Sequence, residues 1–216
     1  MITKDELDRL HRAVPSDYYQ RGIKKNVLQR IWHHGRFRLI TRELIRLRMT
    51  GPVLDLGCHS GDLTSIVATA TGTPTSGVDL SSQAIAYARS RFPAIDFQCV
   101  DFSQGLPFSE GSFQAVTAFD VLEHVPDLPA TLAEIRRVLK PGGYLIIGVP
   151  NETWLFKIIW FFWTKLRGHV WDGVHVQDFQ EPRSYNLFLQ AGFQNVREAS
   201  ILQNMWRFII FRKSES

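Results

Sequence analysis

The sequence predicts an α/β fold in which helices cover both faces of a mainly parallel sheet. Short apolar runs, typical of strands buried on both faces, are separated by stretches whose apolar residues recur at helical spacing. This alternation favours βαβ units, whose strands pair in parallel. With 216 residues, 44% hydrophobic and 21% charged, the chain is large enough for one domain with a sizeable core.

Charge, cysteine content and the N-terminal residues limit the expected partners, redox chemistry and location of the protein. A net charge of +4 and a pI near 9.2 make the chain mildly basic, which favours an anionic partner or membrane surface but is common among enzymes. Cys58 and Cys99 show neither metal-ligand spacing nor a disulfide framework. Residues 1–12 are charged and lack an apolar run. No signal peptide is therefore expected, and the expected location is cytoplasmic, with peripheral membrane contact left open.

The first 49 residues are expected to form a helical extension. Residues 1–22 are polar, and over residues 23–49 apolar residues recur at helical spacing, with Gly35 expected to divide two helices. The apolar positions are Ile23, Val27, Ile31, Leu39, Leu44 and Leu47. The opposite face is basic, with Lys24, Lys25, Arg30, Arg36, Arg38, Arg42, Arg46 and Arg48. This basic face is either a solvated helix surface or a patch that binds a phosphate-bearing or membrane-bound molecule.

The chain is organised around a strand, a glycine turn and a helix at residues 53–70. The apolar residues of 53–56 predict a buried strand, and Gly57 and Gly61 supply the backbone freedom of a tight turn. Ser60 or Asp62 is expected to cap the helix that follows. Such a turn directs free backbone N–H groups into the crevice where open α/β sheets bind ligands.

Two carboxylates follow the next two predicted strands. Residues 75–78 form the second strand, which ends at Asp79, about 20 residues past the glycine turn, where a carboxylate usually accepts hydrogen bonds from a ribose. Residues 95–100 form the third strand and end at Asp101. A dinucleotide fingerprint needs glycine at the positions of His59 and Asp62, so the sequence does not favour a nicotinamide cofactor.

The remaining elements continue the same alternation. Residues 112–119 predict a strand, and a helix is expected to end at the Lys-Pro-Gly-Gly of residues 140–143, where the two glycines turn the chain back to the sheet. Residues 144–149 form a buried strand. Residues 194–201 and 205–211 predict two last strands that pair as an antiparallel hairpin.

These segments, in this order, resemble the class I S-adenosylmethionine-dependent methyltransferases. Asp55, Gly57 and Gly61 match the motif Asp-x-Gly-x-Gly-x-Gly, in which His59 replaces the middle glycine. The Asp-Val-Leu-Glu-His-Val of residues 120–125 is similar to a signature of the subgroup that includes ubiquinone-type O-methyltransferases. The resemblance covers residues 50–211. It implies a Rossmann-like seven-stranded sheet with helices on both faces, a helical cap at 1–49, and a methyltransferase domain at 50–216 with an aromatic insertion at 153–175.

The resemblance also implies a cofactor and its contacts. S-adenosyl-L-methionine would donate a methyl group to a small, lipophilic acceptor, at oxygen. Asp79 would bind the ribose and Asp101 the adenine amino group, while Trp32 and Arg36 would form the far wall. The full set of implied contacts is Asp55, Gly57, Cys58, His59, Gly61, Asp79, Leu80, Asp101, Phe102 and Phe119. Residues 119–122 lack the Asn/Asp-Pro-Pro-aromatic box of amine methyltransferases, which disfavours base methylation.

Two histidines are the candidate catalytic bases, since histidine titrates near neutral pH. His124 and His175 lie at the catalytic rim by motif position, and no metal site is expected. Two alternatives stay open for His124: a helix-end residue satisfied by backbone, or a divalent-cation ligand with Glu123, as resemblance to some quinone O-methyltransferases implies. The alternative functions are a catalytically silent scaffold or regulatory protein, and an RNA-modifying enzyme that uses the basic helix and Trp32.

Residues 153–166 are apolar nearly all round and too short to span a bilayer as a helix, which needs about 20 residues. Three interpretations remain: a helix packed on the domain or in a homodimer interface, a membrane-interface element, or a lid over an acceptor pocket. The expected partner is a small-molecule acceptor, and nucleic acid is not expected.

Overall fold

A computed structural model describes residues 14–151 and 182–214 of the chain. The aromatic segment at 153–166, the wider insertion at 153–175 and His175 lie outside the described residues, so their interpretations stay predictions. The division into a cap at 1–49 and a domain at 50–216 also stays a prediction. Within the described ranges, no helix is long and apolar enough to cross a membrane.

A seven-stranded sheet forms the centre of the molecule, with strand order β3-β2-β1-β4-β5-β7-β6. The strands are β1 (Val53–Leu56), β2 (Thr75–Asp79), β3 (Asp96–Cys99), β4 (Phe113–Phe119), β5 (Leu139–Pro150), β6 (Phe193–Ile201) and β7 (Trp206–Lys213). Among the strands that the structure describes, β7 alone runs antiparallel to its neighbours, and it pairs with β5 and β6. The predicted α/β sheet and its closing antiparallel hairpin are confirmed.

Helices cover both faces of this sheet, as the sequence predicts. They are α1 (Tyr18–Lys25), α2 (Val27–Leu47), α3 (Asp62–Thr71), α4 (Ser82–Arg91), α5 (Leu128–Val138) and α6 (Pro182–Gln190). One apolar core includes Leu132 of α5 and Phe188 of α6, and another includes Leu44 of α2 and Val67 of α3. Short 3₁₀ helices at Phe102–Gln104 and Leu122–His124 follow β3 and β4.

The strand order reverses at β1, which lies between β2 and β4. In the parallel register Leu56 is opposite Val78 on one side and Ala118 on the other. The loops that leave the carboxyl ends of β1 and β4 therefore diverge to opposite sides of the sheet and open a crevice between them. Open α/β sheets bind ligands at this kind of switch point.

The break between the two N-terminal helices lies at Asn26, so the prediction that Gly35 divides them was wrong. Asn26 has an extended backbone, and its Oδ1 accepts hydrogen bonds from the amides of Leu28 at 2.8 Å and Gln29 at 3.2 Å. Asparagine is among the strongest N-cap residues, so it starts a new helix here. Gly35 is an interior residue of α2.

The buried face of α2 also differs from the prediction. Val27 and Ile31, expected inside, are exposed, and Arg36, expected on the basic outer face, is buried. The buried residues of α2 are His33, Arg36, Leu39, Ile40, Glu43 and Leu44. Two charged side chains lie inside because each finds an ion-pair partner on the sheet: Asp120 for Arg36 and Arg197 for Glu43. Hydrophobic periodicity alone does not reveal such partners.

The helix before β5 ends at Val138, and the strand begins at Leu139, earlier than predicted. The pairing with β4 jumps from Phe113–Leu139 to Ala115–Tyr144, so residues 140–143 bulge out of the ladder. Gly142 has φ 68°, a left-handed conformation that glycine adopts at little cost. The predicted change of direction is therefore a bulge within β5.

Candidate active site

The turn after β1 contains three residues with left-handed backbone: Gly57 at φ 65°, His59 at φ 43° and Gly61 at φ 76°. A Cβ added at Gly57 would collide with Cγ2 of Val121, and one at Gly61 would lie 2.7 Å from Cζ of Phe97. Both positions therefore require glycine. His59 adopts the same kind of backbone at a cost of about 1 kcal/mol, so the turn keeps a glycine-like path without the middle glycine.

The N-cap residue of α3 is Gly61, which supplies no side-chain hydrogen bond. The prediction that Ser60 or Asp62 caps this helix was wrong, because the Ser60 hydroxyl instead donates to Oδ2 of Asp62 at 2.7 Å. Within the part of the chain that the structure describes, the N-cap leaves the first N–H groups of α3 without a side-chain acceptor. A helix N-terminus of this kind favours a negatively charged ligand group.

The Asp79 carboxylate joins the loop after β1 to the loop after β2. Its Oδ2 accepts the amide of His59 at 2.9 Å and its Oδ1 accepts the amide of Ser81 at 2.8 Å. The bond to His59 holds the left-handed residue in place across 20 positions of sequence. Each carboxylate oxygen has two lone pairs, so Asp79 keeps capacity to accept from ribose hydroxyls. Ser81 itself caps α4 by accepting from the amide of Ala84.

Asp55 lies buried beneath the turn. Its Oδ2 accepts the Thr64 hydroxyl at 2.7 Å, and its Oδ1 accepts the Thr117 hydroxyl at 2.6 Å. Burial raises the pKa of Asp55 to about 6, although the two hydroxyl bonds act in the opposite direction. Asp55 thus connects β1 to α3 and to β4 and supports the turn from below.

A small cavity opens at the carboxyl ends of β1 and β4. Its lining residues are Asp55, Leu56, Gly57, Cys58, His59, Asp62, Leu63 and Phe119. Five of the predicted cofactor contacts lie together in this lining, and Asp79 adjoins it through the amide of His59. The cysteines form no disulfide: Cys58 is buried and Cys99 is exposed.

The other predicted contacts lie beside β3. Asp101 caps a 3₁₀ helix, and its Oδ1 accepts the Ser103 amide at 3.1 Å and hydroxyl at 2.6 Å. Phe102 is half-buried against the core. The carbonyl of Leu80 lies 3.5 Å from Sγ of Cys99. A second, wider cavity that includes Ser103 opens next to Asp101, so this end of the sheet has room for a ligand beyond the first cavity.

Gln20 of α1 is a contact that sequence reasoning missed. Its Nε2 donates to Oδ2 of Asp62 at 3.0 Å, and its Oε1 accepts the Tyr87 hydroxyl at 2.7 Å. Arg91 of α4 donates to the other oxygen of Asp62 at 2.8 Å. These bonds hold α1 against the start of α3. The bond between Gln20 and Asp62 spans 42 positions, and a lone glutamine in a polar stretch gives no sign of it.

Asp120, directly after β4, binds α2 through Arg36. Its backbone is left-handed, with φ 54°, and its Oδ2 accepts from the guanidinium of Arg36. The Trp206 indole donates to Oδ1 at 2.8 Å, and the Arg36 guanidinium lies 4.7 Å from the Trp206 ring centre. Arg36, predicted as a wall of the cofactor site, is thus placed in a buried ion pair. Trp32 is half-buried against the core under α2.

Glu123 is buried at 2% exposure, next to Asp120 and His124. Among the described residues no other residue forms a hydrogen bond with either of its carboxylate oxygens. Burial, and then the charge of Asp120, raise the pKa of Glu123 well above its usual range, and Arg36 offsets this only in part. Because Asp120 already pairs with Arg36, the environment of Glu123 favours the protonated carboxyl group over the carboxylate.

His124 ends the 3₁₀ helix after β4 and is half-exposed at the carboxyl edge of the sheet. The ranges that the structure describes contain no group of three or more His, Cys, Asp or Glu residues that could hold a metal ion. The predicted role of His124 stays a prediction, as do the individual cofactor contacts.

Comparison with known proteins identifies the family. A family model described as a methyltransferase domain matches residues 31–198. The chain belongs to this methyltransferase family. The order of its seven strands, with a single antiparallel strand next to the edge, is that of the class I methyltransferases, as the sequence motifs predicted.

Two curated relatives and one solved structure illustrate the range of similarity. The methyltransferase is 35% identical to the ubiquinone biosynthesis O-methyltransferase of Thiobacillus denitrificans over 104 residues, 46% of this chain and 44% of the relative. It is 28% identical to the demethylmenaquinone methyltransferase of Lactococcus lactis over 215 residues, 89% of this chain and 83% of the relative. The chain spans less than half the length of several curated relatives that it matches.

A SAM-dependent methyltransferase of Thermotoga maritima matches the structure with a TM-score of 0.71. The match covers 96% of this chain and 100% of that one at 18% sequence identity. This likeness shows the shared fold.

Proposed function

We propose that this methyltransferase transfers the methyl group of S-adenosylmethionine to a hydroxyl oxygen of a small, lipophilic aromatic acceptor related to quinone precursors. The observation that carries the proposal is the turn after β1, where Asp79 holds His59 in the left-handed conformation that the family motif gives to a glycine. The names of the relatives, from ubiquinone and menaquinone biosynthesis, support the class of acceptor.

The residues of the crevice fit an adenosyl cofactor. The carboxylate of Asp79 has lone pairs left for two ribose hydroxyls, and Asp101 offers an acceptor at the end of the neighbouring strand. The N-terminus of α3 suits the negative end of the methionine group, and Phe119 gives the cavity an apolar wall. The cofactor supplies an activated methyl group on a sulfonium ion.

The protein therefore contributes to catalysis mainly by positioning the reactants. Holding the acceptor oxygen, the methyl carbon and the sulfur in line supplies about 7 kcal/mol or more of barrier lowering. A base within reach of the acceptor hydroxyl adds roughly 100-fold. We assign this role to His124, half-exposed at the rim beside β4, with His175 as the second candidate.

Transfer of a radiolabelled methyl group from S-adenosylmethionine to a panel of phenols and catechols, with and without an isoprenoid tail, tests the proposal. Asp79→Asn removes the charge that accepts from the ribose, and charge-assisted hydrogen bonds of this kind contribute about 1.5–3 kcal/mol. We expect the KM for the cofactor to rise by roughly 10-fold to 100-fold. Asp96→Asn is the matched control, because Asp96 is an exposed carboxylate at the amino end of β3, whereas Asp79 lies at the carboxyl end of β2.

The outcomes separate the alternatives. An unchanged KM for the cofactor in Asp79→Asn would contradict the assigned cofactor site. Cofactor binding without methyl transfer to any acceptor would favour the catalytically silent scaffold. The RNA-modifying alternative keeps only the basic face of α2 as its motive, because Trp32 is half-buried against the core.

A further inference from the structure

Three large aliphatic side chains are exposed side by side at the start of α2. Val27 is 59% exposed, Leu28 67% and Ile31 54%. Residues three and four positions apart are neighbours on a helix surface, so Ile31 lies beside both Leu28 and Val27 and joins them in one patch. Single exposed apolar residues are common, but a contiguous group marks an interaction surface.

Basic side chains continue the same surface along the helix. We define the outer face of α2 as eight of its exposed residues: Val27, Leu28, Arg30, Ile31, His34, Arg38, Arg42 and Ile45. Glu43 is the only acidic residue from Tyr18 to Leu47; it is buried and bound by Arg42, Arg46 and Arg197. One buried carboxylate is thus paired with three arginines, and Arg30 and Arg38 add further positive charge. The outer face combines aliphatic groups with net positive charge.

The aliphatic patch lies at the edge of the sheet that carries the cofactor crevice. Midway along α2, Arg36 binds Asp120 at the carboxyl end of β4, whereas the helix ends at Leu47, shortly before the amino end of β1. The helix axis therefore runs from the carboxyl edge to the amino edge. With a rise of 1.5 Å per residue, Ile31 lies about 7 Å and Val27 about 13 Å beyond Arg36 in the direction of the crevice edge.

The chemistry of the outer face favours one kind of occupant. Aliphatic side chains with arginines around them suit the headgroup boundary of an anionic bilayer. RNA binding would use exposed aromatic rings for stacking, but Trp32 and Phe37 are half-buried against the core. A second copy of α2 packed on this face would bring arginines against arginines.

We propose that the outer face of α2 docks the enzyme on an anionic lipid surface, with the cofactor edge toward the headgroups. A lipophilic acceptor dissolved in the bilayer then reaches the crevice without crossing water. The delivery of the acceptor rests on the proposed function, whereas the docking itself does not. The proposal assigns membrane contact to residues 27–45, a different part of the chain from the aromatic segment.

Co-sedimentation of the full chain with phosphatidylcholine vesicles, with and without phosphatidylglycerol, tests the docking in the absence of cofactor and acceptor. We expect binding to the anionic vesicles that weakens as salt is added, since salt screens exposed charges. The double variant Leu28→Ser/Ile31→Ser should reduce the partition coefficient about 10-fold or more, because two aliphatic side chains no longer enter the lipid. Arg30→Ser/Arg38→Ser should reduce it by roughly 5-fold for each charge.

Leu189→Ser is the matched control, because Leu189 is 47% exposed on α6, which packs on the core that does not contain α2, and its loss should leave vesicle binding unchanged. All these side chains are exposed, and equal thermal unfolding midpoints would show that each variant folds. Absence of wild-type binding to anionic vesicles overturns the proposal. So does unchanged binding by Leu28→Ser/Ile31→Ser, which would place the contact elsewhere on the chain, and so does binding to an RNA oligonucleotide without vesicle binding.

Methyl-transfer assays distinguish the loss of lipid docking from the loss of methyltransferase activity. With an isoprenoid acceptor in anionic vesicles, the Leu28→Ser/Ile31→Ser variant should turn over more slowly than the wild type. With a short, water-soluble phenol the two should be equal. Equal rates on both acceptors would overturn the delivery role and leave the methyltransferase assignment intact.

Discussion

At the scale of single residues, the cofactor turn depends on long-range hydrogen bonds that a motif does not contain. The sequence predicted the roles of Gly57 and Gly61, and both have the backbone conformation that only glycine adopts easily. It could not predict that the carboxylate of Asp79 holds the amide of His59, because that bond depends on the pairing of β1 with β2. The substitution of histidine for glycine is thus accommodated by a partner 20 residues away.

Glu123 makes the folded chain less stable as pH rises. A carboxyl group with a raised pKa keeps its proton to higher pH in the folded chain than in the unfolded chain, which ionises above the usual pKa of 4.5. Ionisation therefore stabilises the unfolded state from about pH 4.5 upward, by at most about 1.4 kcal/mol per pH unit for one proton. We expect Glu123→Gln to unfold at a higher temperature than the wild type at pH 7, with a difference that shrinks toward pH 4.5.

Thermal unfolding across this pH range checks the expectation. Glu110→Gln is the control, because Glu110 is an exposed glutamate and its replacement makes the same chemical change without touching a buried carboxyl group. A Glu123→Gln curve parallel to the wild type at every pH would mean that Glu123 is ionised in the folded chain.

At the scale of elements, α2 shows where sequence patterns stop being informative. Its helical spacing predicted a helix, which the structure confirms, but the predicted buried face and the predicted break at Gly35 were both wrong. The orientation of α2 is set by two ion pairs, Arg36 with Asp120 and Glu43 with Arg197, which span 84 and 154 positions. Partners so far apart in sequence become visible only once the sheet is assembled.

Asp120→Asn should loosen the N-terminal helices. Asparagine tolerates the left-handed backbone at this position, so the change removes the charge and leaves the turn intact. The guanidinium of Arg36, 3% exposed, then lacks its counter-charge, and breaking a buried pair in this way costs on the order of 3 kcal/mol. We expect urea denaturation to show this loss of unfolding free energy.

A second substitution identifies the source of that loss. Arg36→Met in the Asp120→Asn background removes the unpaired charge and should restore part of the stability. Glu198→Gln breaks the more exposed pair with Arg207 and should cost less than about 1 kcal/mol. If the Asp120 and Glu198 variants lost the same small unfolding free energy, the buried ion pair would not be what holds α2 in place.

At the scale of the whole molecule, the sequence predicted the layered α/β fold, the strands near their observed positions and the family. These features are local, since each strand and turn has its own apolar run, glycine or cap residue. The contacts of α1 with the start of α3 and of α2 with the end of β4 could not be predicted, because they depend on single polar pairs such as Gln20 with Asp62. His175 and the aromatic segment at 153–166 keep their predicted roles as hypotheses.

Calorimetric titration of the purified chain with S-adenosylhomocysteine tests the central claim most directly, with thermal unfolding in the same ligand as a second readout. We predict one-to-one binding, a higher unfolding temperature in the presence of ligand, and affinity at least as high in His59→Gly, because glycine relieves the left-handed strain. Asp79→Asn should weaken binding by roughly 10-fold or more. Wild-type protein that shows neither heat nor a shift in unfolding temperature would contradict the claim that the turn held by Asp79 forms a cofactor site.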